Sequence, residues 1–454
     1  MSGQTRRTGE ATKSPTSGLT GPRASTLRGE RRSVFRPSFP LVEAKFRPRT
    51  SPPVTVPRER LIRQLTAEPR KSIMSVTAPP GYGKTVQLSQ WVAGEERDVA
   101  RLTLDDLDND PSDFLTNVAS SLDRVRPIDA SMRAAIAVHG HRVLATAVPR
   151  IALELSRWEQ PGLLVLDDIH QLTHRICLDA LAQLLDLLPP GFQVAMAARV
   201  DLDLPLARYR ARQALLELGG ADLALDPEET LALVSAMGEP LDATEARLLS
   251  ERAEGWAAGI YLLTLERTRH DGGRDAADIS GGVGYVAEYL RVELEQDLSD
   301  HDVALLTRTS ILEVVESSLA ESVAAVPHAE ERLGSLAHAN QLIGRVEGPD
   351  VAFRYHALLR DFLSAELERR EPGTAPELHR RAAAWYADSG RMELAIEHAL
   401  AGGDMDGAAP LVTAAVLSMH HRGHDDRLQR WLGSFDDRVV ARHPSLAVVA
   451  AWIY

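Results

Sequence analysis

The sequence predicts an α/β domain, a parallel sheet with helices on both faces, followed by a long and mainly helical remainder. Three observations predict it. Short apolar runs, "SIMSVTA", "GLLVLDD" and "FQVAMAAR", are bounded by turn residues or acids and alternate with segments whose apolar residues recur at three-to-four spacing. Strand, helix, strand in succession implies parallel pairing. Beyond about residue 221 strand signals become rare, and the last part of the chain reads as helix, short turn, helix.

Bulk properties set the frame. A chain of 454 residues is too long for one ordinary core, so roughly two to four domains are expected. No apolar run approaches the ~18 residues that a membrane span needs, and the polar start, "MSGQTRRTGE", argues against a secretory signal. The single cysteine, Cys177, excludes an internal disulfide and suits a reducing compartment; its plain reading is a small buried hydrophobe. A cytoplasmic protein with no membrane partner is expected. The formal charge of −13 makes the chain as a whole a poor nucleic-acid surface. Its cations are almost all arginine, and Lys13, Lys45, Lys71 and Lys84 are its only lysines, which makes Lys84 informative.

Taken in order, residues 1–40 are rich in Ser, Thr, Gly, Pro and Arg and are expected to form a disordered basic tail. Residues 41–220 carry the α/β pattern, with "SDFLTNVASSLDRV" and "LDALAQLLDLL" as helices between strands. A helical lid is expected over 221–290. There "DPEETLALVSAM" opens with Asp226 as N-cap and Pro227 at the first helical position, with acids in the first turn. Helical segments continue through "DATEARLLSERAEGWAAGIYLLTLE", and a Gly- and Asp-rich loop follows over about 270–284. Residues 291–370 combine helices, "ERLGSLAHANQLI" among them, with one strand-like piece, "VAFRYH", which suits a winged-helix-like domain. Over 371–454, Trp385, Gly390, Ala395 and Ala399 fall where a tetratricopeptide-type (TPR-like) repeat places bulky and small residues. One such unit cannot bury its own apolar face. Because the last segment, "SLAVVAAWIY", is apolar and has no polar cap, the expectation is the start of a repeat array that is truncated or packs this end on a partner.

The chemistry concentrates in "SVTAPPGYGKT". Phosphate loops need tight turns, backbone N–H groups aimed inward, and a helix N-terminus behind them. Gly81 and Gly83 supply the turns, Lys84 can reach β- and γ-phosphate oxygens, and Thr85 can place its hydroxyl on Mg²⁺. The candidate cradle is Ala78, Pro79, Pro80, Gly81, Tyr82, Gly83, Lys84, Thr85 and Val86. Ala78 stands where such loops usually carry their first glycine, so it is expected in an ordinary backbone region with the two prolines stiffening the turn. Downstream, "LLVLDDIHQL" ends an apolar strand in Asp167 and Asp168. Asp167 is assigned to the metal, through water, and Asp168 to orienting an attacking water. Lys84 and Asp168 are thus the candidate catalytic residues. GTPases read guanine with an Asn/Thr-Lys-x-Asp element, and none of the four lysines is followed two residues later by Asp, so ATP is preferred. Arg199, at the end of the third strand, can sense a γ-phosphate; taken alone it reads equally as a surface ion-pair residue.

From about residue 45 onward the chain resembles the N-terminal portion of the MalT-like, LuxR-type large ATP-binding transcription regulators, members of the STAND class of signalling NTPases. The carriers are "VPRERL", "APPGYGKT", "LTLDDLDNDPSDFL", "LLVLDDIHQL", "AARVDLDLPLARYRARQALLEL", "EGWAAGIYLL" and "FRYHALLRDFL". The resemblance implies an α/β P-loop NTPase that switches between ADP and ATP with slow hydrolysis, holding an off state on ADP. It implies that Val56, Pro57 and Arg58 lie against adenine and that Arg199 is the sensor arginine. It implies that "GWAAG" packs near the base, although related NTPases carry proline where this chain has Ala257 or Ala258. It implies that His356 in "RYHALL" contacts the β-phosphate of ADP. A small-molecule inducer or protein partner is then expected at the repeats, with ATP-dependent self-association. DNA binding is expected only through a C-terminal domain absent from this chain.

Two other readings stand beside the switch: an AAA-type motor or loading ATPase, which would want a more basic surface than −13 allows, and a truncated nucleotide-binding remnant. His420, His421 and His424 in "HHRGH" are set aside as metal ligands because Gly423 interrupts the helix that would align them. "GGVGYVA" near 281 lacks the preceding strand that a dinucleotide fingerprint requires.

Overall fold

The computed structural model describes residues 35, 37, 39–48, 52, 54–68, 71–137, 142–269, 284–295, 298–339, 342–346, 348 and 350–453. The basic tail expected over 1–40 lies outside them save for a few positions from 35 onward, as does the loop expected over 270–284 save for Gly284.

Five parallel strands make the main sheet. They are β1 (Ile73–Thr77), β2 (Val99–Thr103), β3 (Leu163–Asp167), β4 (Gln193–Ala198) and β5 (Leu215–Leu218), in the order β2-β3-β4-β1-β5. The three strands expected from sequence are the central ones, buried along almost their whole length because helices cover both faces. Alternate residues of each strand enter opposite cores. Met74, Val76, Val165 and Ala195 face α1 (Glu59–Thr66) and α2 (Lys84–Ala93). Leu164, Leu166, Val194 and Met196 face the group of α3 (Pro111–Asp123), α4 (Ser131–Ile136), α5 (Arg142–Ser156) and α6 (Arg175–Asp186). Cys177, on α6, is fully buried in that second core. A short α7 (Leu206–Ala211) leads into β5.

The helical region expected to form a lid, and given that label below, comprises α8 (Gly220–Leu223), α9 (Pro227–Ala236), α10 (Ala243–Arg252), α11 (Ala257–Arg269) and α12 (Tyr285–Glu295). Asp226 caps α9 as its sequence predicts, accepting from the Glu229 N–H at 2.7 Å while Glu229 reaches back to the Asp226 N–H. The helical segments expected through "DATEARLLSERAEGWAAGIYLLTLE" are two, α10 and α11. Glu254 (φ 47°) and Gly255 (φ 69°) adopt left-handed backbone and turn the chain between α10 and α11.

Next come α13 (Asp300–Thr309), β6 (Val315–Glu316), α14 (Ser317–Ala324), α15 (Ala329–Ala339), β7 (Ile343–Val346), β8 (Ala352–Tyr355) and α16 (Ala357–Arg370). The strands form an antiparallel sheet ordered β6-β8-β7, the wing of a winged-helix unit. The sequence pattern shows one strand-like piece here. It also runs helix through Ile343, whereas α15 ends at Ala339 and Ile343 opens β7 opposite Tyr355. The remainder is helical: α17 (Ala375–Asp388), α18 (Met392–Ala401), α19 (Met405–His421), α20 (Asp425–Leu432), α21 (Asp437–Arg442) and α22 (Pro444–Ile453). Gly390 turns the chain between α17 and α18 at φ 72°, and Ala395 and Ala399 are buried in the contact.

The first core does not stop at the sheet. It continues through Leu249, Trp256 and Leu263 of the lid and Leu305, Leu319, Phe353 and Leu359 of the winged helix to Leu378 and Tyr386 of α17. The second core is confined to the sheet unit and the short segment before it.

Candidate functional site

The loop between β1 and α2 sits at the carboxyl end of the sheet, where open α/β sheets hold their ligands. Ala78 continues the β1 ladder, its N–H donating to the Ala198 carbonyl at 3.2 Å, and it is fully buried with ordinary backbone angles. Gly81 and Gly83 take the left-handed angles the turn demands, φ 81° and 83°, and α2 begins directly at Lys84. The Lys84 ammonium donates to the carbonyls of Ala78 at 2.7 Å and Pro79 at 2.9 Å. Burial, and then the nearby Arg199 guanidinium, lower its pKa to about 8 against the attraction of Asp168 and Asp167.

Across the sheet, the Thr85 hydroxyl donates to Asp167 Oδ2 at 2.9 Å. Asp168 follows in a left-handed conformation, φ 55°, one of five non-glycine residues with positive φ among the described residues. Asp168 and Arg199 both line a cavity of about 450 Å³, and the Arg199 guanidinium is held by Glu293 of α12 at 3.0 Å. The other walls are the strap Pro52, Val54, Thr55, Val56 and Arg58, the loop from Pro80 to Gln87, and Leu225, Leu233, Ala257, Ala258, Tyr261 and Tyr289 of the lid. The size suits a small-molecule site, with Thr55, Arg58, Tyr261 and Tyr289 as polar groups among the apolar side chains of strap and lid.

The lid is bonded to the loop itself. Trp256 Nε1 donates to the Pro80 carbonyl at 2.9 Å, and the Ala258 N–H donates to the Gly81 carbonyl at 3.0 Å. The strap is pinned at its C-terminal end. Gln90 of α2 bonds the Val56 carbonyl (2.8 Å) and the Arg58 N–H (3.3 Å), while the buried Arg58 guanidinium donates to the carbonyls of Leu223 and Ala224 and pairs with Glu229 at 2.9 Å.

The structure thus gathers Val56, Arg58, Pro80, Gly81, Tyr82, Gly83, Lys84, Thr85, Val86, Asp168 and Arg199 around one cavity. Ala78 and Pro79 lie behind the loop as carbonyl partners of Lys84, and Asp167 lies behind Thr85. His356 is not brought to the cavity wall. Its Nδ1 accepts from the Leu358 N–H at 3.2 Å and caps α16, its Nε2 meets the Ala253 carbonyl at 3.0 Å, and its ring lies edge-on to Trp256. Both ring nitrogens are used by backbone, which leaves none for a phosphate in this arrangement; burial lowers the imidazole pKa, favouring the neutral form. His420, in the set-aside cluster, pairs with Asp425 at 2.7 Å.

Comparison with known proteins follows the same division. The MalT winged helix domain matches residues 291–375, and an AAA domain matches residues 67–202. The serine/threonine-protein kinase PknK of Mycobacterium tuberculosis is 29% identical over 425 residues, 92% of this chain and 38% of PknK. The HTH-type transcriptional regulator MalT of Yersinia enterocolitica is 27% identical over 404 residues, 88% of this chain and 45% of MalT. The chain is similar to MalT in its winged helix and carries an AAA-type ATPase domain before it. It spans less than half the length of these curated relatives. A solved STAND protein with a tetratricopeptide repeat sensor from Pyrococcus horikoshii aligns over 89% of this chain and 56% of its own, at a TM-score of 0.36 and 15% identity.

For an AAA-type ATPase domain the donor set is suitable: a hydroxyl and a carboxylate oxygen already in contact at Thr85 and Asp167 match the hard oxygen ligands that Mg²⁺ takes. Sequence reasoning missed Tyr261, Tyr289, Leu225, Leu233, Gln87 and Glu293. The lid residues fall on one wall only after the turn at 254–255 folds α11 back over the loop, and a helical periodicity carries no trace of that turn.

Proposed function

We propose that the chain is an ATP-binding, signal-responsive switch, the NTPase and sensor half of a LuxR-type transcriptional regulator operating in the cytoplasm. The observation that carries this reading is the bonding of the lid to the phosphate loop through Trp256 and Ala258. A nucleotide in a cavity walled by strap, loop and lid touches all three. Exchange of ADP for ATP then acts through differential contacts with two arrangements of the same parts.

In this reading Lys84 leaves the Ala78 and Pro79 carbonyls for the β- and γ-phosphate oxygens, and the N–H groups of Gly81 to Val86 cradle the phosphates. Thr85 directly and Asp167 through water would hold Mg²⁺, which would neutralise charge on the phosphates. Asp168 orients the attacking water, and Arg199 reads the γ-phosphate once it is free of Glu293. ADP keeps the lid closed. Exchange for ATP, coupled to an inducer or protein partner at the repeats, opens it and permits self-association, and slow hydrolysis resets the state. DNA binding is assigned to a part of such regulators that this chain does not span.

The test is mass spectrometry of nucleotide released on denaturing the purified chain, beside a Lys84→Ala variant. Stoichiometric ADP in the parent and none in the variant supports the switch. An empty parent that hydrolyses ATP rapidly sinks it in favour of a motor, and a parent that neither binds nor hydrolyses leaves a remnant.

A further inference from the structure

A second cavity, also of about 450 Å³, opens where the winged helix meets the hairpin of α17 and α18. One wall is the segment 310–316 with Arg360 of α16, and the other is the hairpin. Its charges do not all cancel one another. Glu316 pairs with Arg391 at 2.7 Å, and Glu397 reaches Arg427 at 4.0 Å. Arg360 and Glu313 remain, and among the described residues neither side chain has an ion pair or a hydrogen bond. One cation and one anion therefore line the same space without meeting.

The uncharged polar groups are open as well. Tyr386 is only 4% exposed, yet its hydroxyl makes no hydrogen bond among the described residues. Burial, and then the Glu316 carboxylate, push that hydroxyl up to about 12, and Arg391 and Glu313 also act on it, which places it among the charges of the cavity. His379 and His398 bond to each other through Nδ1 at 2.9 Å, and burial favours the neutral form of both. Whichever ring donates, its own Nε2 is left a bare acceptor, and the Nε2 of the other ring carries a hydrogen. The pair thus presents one acceptor and one donor, and neither Nε2 is sealed inside the protein. Ile311, Val314 and Leu394 supply apolar wall.

We propose that this cavity binds a short peptide with free ends. Arg360 takes the terminal carboxylate, Glu313 the terminal ammonium, and the imidazole pair the C=O and N–H of the peptide backbone between them. A guanidinium can bind a carboxylate through two parallel hydrogen bonds, and a ligand carrying one charge only would leave either Arg360 or Glu313 unanswered. Peptide groups offer the acceptor and the donor that the two imidazoles complement. A single amino acid is zwitterionic but lacks a peptide group, and the cavity is within the size range of larger ligands. The inference goes beyond the nucleotide reading above and does not depend on it. Because both walls take part, a bound peptide favours the arrangement in which winged helix and hairpin stay together.

The experiment is equilibrium dialysis of the full chain against pooled unblocked dipeptides and tripeptides, read by mass spectrometry, beside the same pools N-acetylated or C-amidated. Unblocked peptides are expected to bind, and blocking either end to weaken them by roughly tenfold or more, as loss of a charge-assisted hydrogen bond predicts. Arg360→Leu and Glu313→Gln, at positions that are not buried, are expected to weaken the same peptides while leaving the Tm of the peptide-free chain unchanged. Should either variant fail to fold, the blocked pools decide alone. The absence of any bound peptide at millimolar concentration overturns the proposal, as does equal binding of blocked and unblocked pools, or binding indifferent to both substitutions. Each of those results leaves the nucleotide reading standing, since released ADP is measured separately.

Discussion

At Gly81 a Cβ would stand 2.6 Å from both the Ala258 Cβ and Trp256 Nε1, and the backbone there is left-handed. Gly83 shares that backbone, but a Cβ there would have nothing within 4 Å. The two glycines therefore separate two effects. Gly83→Ala meets backbone strain alone, on the order of 1–3 kcal/mol. Gly81→Ala meets similar strain and also lifts the lid, so it is expected to weaken nucleotide binding more for the same loss of stability. Denaturant unfolding and nucleotide titration of the pair check this; equal losses in both would mean the lid contact is unimportant. Asp168 is the complementary case, a side chain kept at positive φ where Asp and Asn are the tolerated residues. Asp168→Asn is expected to keep fold and nucleotide affinity while hydrolysis falls at least about tenfold, as loss of a water-orienting carboxylate predicts. Unchanged turnover would remove Asp168 from the chemistry.

Among elements, legibility followed burial. The central strands β1, β3 and β4 are covered on both faces, so they stand out as unbroken apolar runs. The missed strands β2 and β5 are the two edges of the sheet; "VARLT" is only alternately buried, and "LLEL" is four residues long beside a helix. The phosphate loop was readable because its chemistry is local, while the lid wall depends on a turn far away in sequence. That wall gives a prediction. Trp256→Phe keeps most of the apolar packing and removes the Nε1–H donated to Pro80, at a cost of about 1–2 kcal/mol, and ADP is expected to dissociate faster. Stopped-flow displacement measures the rate.

The hairpin of α17 and α18 carries its own dependence on pH. His379 and His398 share an Nδ1–Nδ1 hydrogen bond of 2.9 Å. Burial, and then the neighbouring His379, push His398 down to about 4; burial lowers His379 as well. A histidine whose folded pKa lies below the unfolded value near 6.5 contributes stability present above 6.5 and lost as pH falls toward 4. Protection factors in α17 and α18, taken relative to intrinsic exchange at each pH, are expected to fall over that interval, and His398→Gln to flatten the response.

In the whole molecule, the sheet has one private face and one shared face. The shared core joins it to lid, winged helix and first repeat helix, and polar ties reinforce the junction. Glu254 accepts from the Ala357 N–H at the start of α16 at 2.9 Å and pairs with Arg354 of the wing at 2.6 Å, and Arg252 pairs with Asp361. Glu254→Gly relieves the left-handed strain yet removes both the wing contact and the α16 contact. It is expected to raise exchange around 253–258 and 354–358 together, leaving β3 and β4 protected. Exchange confined to one side of the junction would mean the two modules are not coupled there. The private core has a practical consequence. Cys177 is sealed in it, and burial pushes its thiol up to about 12, so thiol reagents will pass it by. A cysteine introduced at exposed Leu417 or Val448 would be the single address for a fluorophore or spin label, and distances from the repeats could be read against a silent background.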